Sequence, residues 1–362
     1  MSKVYNIIVF LIIFSLSLNE FYHEYFGRVL DYLSIVLIFL YFLLNKKHRT
    51  FYKSDFSLFL FFIPYIAFGF INGKILPSLA VLLGVSVVVL FTKSIFKNSQ
   101  KLSFIFDIVI GLHLFAFFVQ IISFYIFDKP FSYVDFFPFL QKSRVYNEDL
   151  NLLRPGGFMM EPNSYSANIF LLTFISYKFN NKLTAISKIG LISVPFTTSL
   201  WGIVSIFMLV FLNLKLKYKV AILCLILFLT PLIYNLLENS LAFERVIKII
   251  EDPTSDNSIV ARLGLDNKMS INVFTLFLGN GINSTEFQGF LGGNGFSYLI
   301  FCLGIIGSMI LFFWIYISNN LTISILFLLF HFTFPYYSYL IFWVSMACIV
   351  KGIKKKEDIF LA

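Results

Sequence analysis

Twelve apolar runs follow one another along this sequence and constrain its fold more than any other feature. A membrane-spanning helix needs roughly 20 mostly apolar residues, with a range of about 17–25. The apolar cores, each somewhat shorter than its full helix, lie at 4–18, 29–44, 56–71, 75–92, 104–127, 164–179, 185–197, 200–214, 219–236, 295–317, 321–334 and 336–350. They predict an all-α, polytopic integral membrane protein with about 12 transmembrane helices in one membrane domain, 1–362.

Composition excludes the main alternatives to a membrane protein. The chain is 59% hydrophobic and only 13% charged, whereas soluble domains are about 25% charged. A soluble globular enzyme, a disordered chain and a fibrous protein are therefore excluded. The net charge of +9 comes mostly from Lys and Arg residues in the predicted cytoplasmic segments, so we expect no nucleic-acid partner.

The basic residues predict how the spans are oriented. Seventeen of the 28 Lys and Arg residues fall in segments that the positive-inside rule assigns to the cytoplasm, together with only three acids. The opposite segments hold ten Lys or Arg and fourteen Asp or Glu. Both termini are then cytoplasmic, and the chain turns outside near Thr197. Within the spans, Asp107 is expected to pair with Lys101, and His113 to be a hydrogen-bonded packing residue.

Two connections are long, and both are predicted on the outer side. They cover about 128–163 and 237–294, and neither has a disordered composition. Loops of this length are uncommon unless they are functional or disordered. We therefore expect two folded outer loops that cap a cavity.

The end of the first loop combines residue types suited to an anionic ligand. Arg154 offers a planar guanidinium for phosphate, and the following Gly156 and Gly157 permit close backbone approach. Pro162 predicts a helix start, whose N–H groups favour an anion, and Glu161 precedes it as a candidate base or as an orienter of an arginine. The alternative is a juxtamembrane turn with a helix cap and a surface arginine.

The second loop carries a Gly279-Asn280-Gly281 turn after a helix-compatible stretch that contains Arg262. Such a turn is either a tight left-handed turn or a backbone nest for an anion. Gly304 and Gly307 in the next span have a small-residue spacing suited to close helix packing. No nucleotide-binding, zinc-binding or serine-hydrolase motif occurs, and the three cysteines lie in apolar runs, so we expect no cofactor and no metal.

These features together resemble the Wzy-type O-antigen polymerases and the related O-antigen ligases. Three short sequence motifs carry the resemblance. They are Arg154-Pro-Gly-Gly-Phe through Glu161-Pro-Asn, Arg262 followed by Leu278-Gly-Asn-Gly-Ile282, and Asn294-Gly-Phe-Ser-Tyr-Leu through Leu303-Gly-Ile-Ile-Gly307. The arrangement covers about 104–317, and roughly 40 residues carry it.

The resemblance implies a GT-C-like fold in a bacterial inner membrane and a metal-independent, inverting glycosyltransferase. Such an enzyme joins polyprenyl-diphosphate-linked repeat units into an O-antigen or capsular polysaccharide on the outer face. Its partners would be those glycans, the bilayer and a chain-length regulator in the same membrane. On this hypothesis Arg154 and Arg262 clamp the diphosphate, and Glu161 is either the base or an orienter of Arg154. The secondary contacts would be Arg144, Arg245, Lys268, Asn280 and Asn294.

Two departures from the family pattern bear on the alternatives. Ligases place a histidine where Gly293 precedes Asn294, so the glycine favours a polymerase. A Ser-Arg pair that is common after the seventh span is absent, because Ser199 is followed by Leu200. A ligase and a flippase or other transporter of lipid-linked sugars remain the alternatives. Transporters usually show internal repeats and midplane polar sites.

Overall fold

The computed structural model describes part of the chain. The described residues are 2–18, 22–23, 27–45, 50–72, 75–98, 101–136, 145–147, 152–197, 273–282, 295–319, 340–350 and 359–361, with 202, 205, 206, 208, 209 and 324. They form ten α-helices: α1 Ser2–Ser17, α2 Val29–Leu44, α3 Lys53–Asn72, α4 Ile75–Asn98, α5 Leu102–Phe127, α6 Pro162–Asn180, α7 Ala185–Ser193, α8 Val273–Leu278, α9 Gly295–Ser318 and α10 Leu340–Ile349.

Extended structure in the described residues is confined to three antiparallel strand pairs. β1 (Tyr22–His23) pairs with β2 (Gly27–Arg28), and β4 (Tyr146–Asn147) pairs with β5 (Leu152–Leu153). β3 (Thr50–Tyr52) pairs with β6 (Ile359–Leu361), which joins the start of α3 to the C-terminal tail. The predicted all-α class is therefore confirmed, with these short pairs as additions that the apolar runs did not indicate.

Nine of the twelve predicted apolar cores coincide with described helices. The match is closest for α2, whose limits are those predicted, and α6 begins at the predicted Pro162. The seventh core is helical to Ser193 and continues as a 3₁₀ turn over Val194–Thr197. The cores predicted at 200–214, 219–236 and 321–334 lie largely outside the described residues.

Three of these helices are long and apolar enough to cross a membrane: Lys53–Ile71, Leu102–Phe127 and Leu299–Ser318. Shorter apolar helices occupy Val4–Ser17, Leu30–Leu44, Ala185–Thr197 and Leu340–Ile349. The chain is therefore a helical membrane protein by the length and composition of its helices. The total of twelve spans and the GT-C-like arrangement remain predictions.

The two faces of α5 show what surrounds the bundle. One face presents exposed apolar side chains at helical spacing: Phe104, Ile108, Phe115, Phe118 and Ile122. The opposite face is buried and includes the polar residues His113 and Gln120. A large exposed apolar surface is unfavourable in water and suited to lipid, so the exposed face of α5 fits a lipid environment, while its few polar groups such as His113 and Gln120 lie in the buried, mostly apolar face.

Helix α6 is the centre of the described bundle. Fourteen of its 19 residues are buried, and it contacts α5, α7 and α10. Several of the buried side chains are polar, among them Ser166, Asn168 and Thr173. Buried polar groups need hydrogen-bond partners, and the partners of Ser166 connect α6 to the site described below.

Helices α5 and α6 run antiparallel, so the structure has two distinguishable ends. At one end the Thr184 hydroxyl donates to Asp107 Oδ1 at 2.6 Å. Asp107 therefore accepts a hydrogen bond from Thr184, the N-cap of α7. The expected pairing of Asp107 with Lys101 is wrong. At the other end Gln120 of α5 contacts the residues that lead into α6.

The first end gathers cationic groups, and we call it the lysine end (Lys93, Lys97, Lys101 and Lys178). Lys93 Nζ lies 3.1 Å from Asp55 Oδ1, and both side chains are buried, at 4% and 0% exposed. Lys178 donates to Asn319, which in turn donates to the carbonyl oxygen of Ile349 at 3.1 Å. The ends of α4, α6, α9 and α10 and the start of α3 therefore meet here.

Candidate functional site

The residues from Arg154 to Glu161, which we call the arginine turn, connect the β4–β5 pair to α6. The Arg154 N–H donates to the carbonyl oxygen of Val145 at 2.7 Å, which closes the strand pair. The Arg154 side chain is half-buried, and its Nε donates to the carbonyl oxygen of Thr197 at 3.3 Å. The guanidinium is thus held against the end of the 3₁₀ turn that follows α7.

Gln120 fixes the middle of the arginine turn from the neighbouring helix. Its Oε1 accepts from the N–H groups of Gly156 and Gly157 at 2.9 and 2.8 Å. Its Nε2 donates to the carbonyl oxygen of Gly157 at 3.0 Å. Because Gln120 is fully buried, these bonds form away from water, where an unsatisfied amide is costly. Sequence reasoning missed this residue, whose only signal is a lone amide within an apolar run.

Gly157 adopts a conformation that a larger residue resists. Its φ is +57°, in the left-handed region that favours glycine. A Cβ placed there would lie 3.0 Å from the ring of Tyr165 and 3.1 Å from the carbonyl oxygen of His113. The prediction that the glycines permit close approach is confirmed here, and the approaching groups belong to α5 and α6.

Glu161 is the N-cap of α6, and Pro162 occupies the first helical turn. The carbonyl oxygen of Glu161 accepts from the N–H groups of Ser164 and Tyr165 at 3.1 and 3.2 Å. Its side chain makes no capping bond. The positive end of the α6 dipole therefore points toward the arginine turn, and it favours a negative charge there.

Two hydroxyl pairs attach α6 to the chain segment beside Arg154. Tyr165 Oη and Ser193 Oγ lie 2.7 Å apart, and Ser166 Oγ and Thr197 Oγ1 lie 2.9 Å apart. Both pairs are buried. They fix the position of Thr197, whose carbonyl oxygen receives the Arg154 bond, so the polar face of α6 supports the arginine.

Aromatic side chains connect the first loop to the bundle. Tyr133 in the loop lies 5.0 Å from the ring of Phe158, and Phe158 lies 5.6 Å from the ring of His113. Partial burial raises the pKa of Tyr133. His113 is buried, and its Nε2 lies 2.9 Å from Ser17 Oγ. The prediction that His113 is a hydrogen-bonded packing residue is thus confirmed.

The Gly-Asn-Gly turn packs on other helices. The N–H groups of Asn280 and Gly281 donate to the carbonyl oxygens of Phe301 and Cys302 at 2.7 and 3.1 Å, and the Ile282 N–H donates to Tyr65 at 2.9 Å. These backbone N–H groups therefore already donate to carbonyl oxygens, and Gly279 and Gly281 both have positive φ. Of the two predicted forms, the structure has the left-handed turn, and the anion-binding nest is wrong.

The same turn compensates for a break in α9. Gly304 has φ 68° and ψ 175°, which are not helical values. Irregular backbone at membrane depth is tolerated where protein covers it, and the carbonyl oxygens of Phe301 and Cys302 are covered by the Gly-Asn-Gly turn. A substituent on Gly307 would meet the Tyr65 hydroxyl. Close packing is therefore confirmed for both glycines, since a substituent on Gly304 would meet the carbonyl oxygen of Phe277 and the nitrogen of Gly279. Gly304 in addition interrupts the helix.

The structure places three of the eight predicted site residues. Arg154 and Glu161 lie at the two ends of the arginine turn, and Asn280 is buried between α3 and α9. The other five lie outside the described residues: Arg144, Arg245, Arg262, Lys268 and Asn294. In the part of the chain that is described, no group of three or more His, Cys, Asp or Glu residues is placed to hold a metal ion.

The structure thus defines an α-helical membrane protein in which the arginine turn places a cationic side chain at one end of the buried helix α6. Comparison with known protein families, with characterised proteins and with solved structures finds no significant match. Any statement about function therefore depends on the site itself.

Proposed function

We propose that this protein is a Wzy-type polymerase of the bacterial inner membrane, which joins polyprenyl-diphosphate-linked repeat units into an O-antigen or capsular polysaccharide. The observation that carries the proposal is the position of Arg154. Its guanidinium is held at the N-terminal end of a buried helix, at the end of the bundle opposite to the lysine end.

The separation of the two ends fits a bilayer. Nineteen helical positions separate Lys101 from Gln120, the residue that holds the arginine turn. At 1.5 Å per residue this is about 28 Å, close to the roughly 30 Å hydrocarbon core. With the lysine end in the cytoplasm, as the positive-inside rule predicts, the arginine turn lies at the outer membrane surface. A lipid-linked diphosphate would also lie at that depth.

The proposed glycosyl transfer requires a fixed positive charge beside the diphosphate leaving group. A hydroxyl of the acceptor sugar attacks the anomeric carbon of the donor, the bond from that carbon to the diphosphate oxygen breaks, and polyprenyl diphosphate leaves. The hydroxyl proton passes to a base, the role we propose for Glu161. Arg154, with Arg262 as its proposed second clamp, and the positive end of α6 would stabilise the charge that develops on the diphosphate without a metal.

Preorganisation is the reason for the buried support around Arg154. A cation stabilises a transition state best when it needs no rearrangement at the moment of reaction. The Thr197 carbonyl oxygen positions the guanidinium, and the Ser166–Thr197 pair and the Gln120 bonds hold the segments on either side. This arrangement is more than a surface arginine on a helix cap requires.

Deletion of the gene, followed by gel electrophoresis of the surface polysaccharide, tests the proposal. A polymerase is expected to leave surface glycan that carries a single repeat unit. Loss of all surface attachment with lipid-linked polymer retained would instead identify a ligase. Accumulation of lipid-linked units on the cytoplasmic face would identify a flippase. Either of the last two results overturns the proposal.

A further inference from the structure

A cleft of about 570 Å³ opens at the lysine end between α4, α5 and α6. Its polar side carries Lys97 and Lys101, both exposed, and Ser103. Its apolar side is formed by aromatic rings, with Phe96 and Phe179 packed 5.7 Å apart. We call it the lysine cleft.

The lysine cleft faces the lipid as well as the aqueous side. Phe104, which lines it, is 61% exposed and begins the exposed apolar face of α5. Lys101 comes directly before the candidate span Leu102–Phe127, so its ammonium group lies at the membrane boundary. An occupant would therefore have its charged group beside the lysines and its apolar part along the rings.

Two lysines, Lys97 and Lys101, supply positive charge in the lining of the cleft. Lys97 Nζ lies 4.2 Å from the centre of the Tyr52 ring, a cation–π contact. Two lysines above aromatic walls at a membrane boundary are complementary to a lipid that has an anionic head group.

We propose that the lysine cleft binds one anionic phospholipid of the leaflet at the lysine end, which is the cytoplasmic leaflet on the predicted topology. Lys97 and Lys101 contact its phosphate, and an acyl chain lies along Phe96, Phe104 and Phe179. The proposal depends on the membrane location of α5 and not on the polymerase activity, so the two can fail separately.

Native mass spectrometry of the purified full chain measures this binding. The probes are phosphatidylglycerol, phosphatidylcholine and inorganic phosphate, each added at the same concentration in detergent. Wild type is expected to retain one phosphatidylglycerol in preference to phosphatidylcholine. Each basic residue near an anionic membrane surface contributes about 1 kcal/mol, or about fivefold. The Lys97→Gln/Lys101→Gln variant should then bind phosphatidylglycerol about 25-fold more weakly.

Two further variants keep the result interpretable. Lys188→Gln removes another exposed lysine, on α7 and outside the cleft, and should bind as wild type does. Lys97→Arg/Lys101→Arg keeps both charges and should retain the lipid. Equal retention of both lipids, equal loss in Lys188→Gln, or saturable binding of inorganic phosphate in place of lipid would each overturn the proposal.

Discussion

Gln120 and Gly157 exchange a pair of hydrogen bonds across the interface between α5 and the arginine turn. The Gly157 N–H donates to Gln120 Oε1 at 2.8 Å, and Gln120 Nε2 donates to the Gly157 carbonyl oxygen at 3.0 Å. A primary amide thus pairs with a peptide group as a neighbouring strand would. This contact joins a candidate membrane span to the turn that connects Arg154 to the start of α6.

Replacing Gln120 by leucine should destabilise the protein by about 2 kcal/mol or more. The substitution leaves the buried N–H groups of Gly156 and Gly157 without their acceptor, and each unsatisfied group costs about 1–3 kcal/mol. Thermal unfolding of the purified protein in detergent measures the change. The matched control is Ser123→Ala on the same helix, where the lost bond to Lys129 is exposed. Equal stability of the two variants would contradict the role given to Gln120.

Two glycine substitutions should act in opposite directions. Gly157→Ala forces a side chain into a positive-φ site against Tyr165 and His113, and we expect a loss of about 1–3 kcal/mol. Gly111→Ala on α5 meets nothing within 4 Å and should stabilise the helix by about 0.5–1 kcal/mol. The same unfolding assay compares them. A stable Gly157→Ala protein would show that the arginine turn does not have the described backbone.

The buried ion pair at the lysine end should show strong coupling. Lys93→Met or Asp55→Leu alone leaves a buried charge without its ion partner, which costs about 3–5 kcal/mol. The double variant removes both charges and should cost much less than the sum. A double-mutant cycle from unfolding free energies gives the coupling, with the exposed Lys188→Met as a control for loss of charge. Additive effects would mean that the two charges do not interact.

Cysteine labelling should separate the two ends of the bundle. Lys129 follows α5, near the arginine turn, and Lys182 follows α6 at the lysine end; both are exposed. In intact cells a membrane-impermeant maleimide should label Lys129→Cys, and it should reach Lys182→Cys only after permeabilisation. The three native cysteines are replaced by alanine beforehand. Labelling of both positions in intact cells would exclude the predicted topology.

The sequence predicts helices far better than the contacts between them. Lengths of apolar runs gave the limits of α2 and nearly those of α5, because charged or polar residues bound those runs. Run length carries no information about a single amide inside a span, so Gln120 was missed. The spacing of Gly304 and Gly307 also fits both close packing and a helix break. Only the structure shows that Gly304 combines the two, because the Gly-Asn-Gly turn, a distant segment, packs against the break.

The site was predictable to a similar extent. The helix start at Pro162 is a local feature, and the structure has it as predicted. The structure also places Arg154 in the turn that leads into this helix. The partner of Asp107 is a residue 77 positions away, which local charge pairing with Lys101 did not anticipate. Support of Arg154 by Thr197 is likewise a contact across 43 positions.

Reconstitution tests the central claim, that Arg154 belongs to a polymerase site, most directly. The purified protein is placed in liposomes with polyprenyl-diphosphate-linked repeat units extracted from the deletion strain, in buffer that contains EDTA. The account predicts a ladder of lipid-linked polymers for wild type, with Arg154→Ala at least 100-fold slower, since one lost transition-state donor costs about 10²–10³ in rate. A matched Lys129→Ala variant should keep the wild-type rate. Absence of the ladder with wild type, or an undiminished ladder with folded Arg154→Ala, would contradict the account.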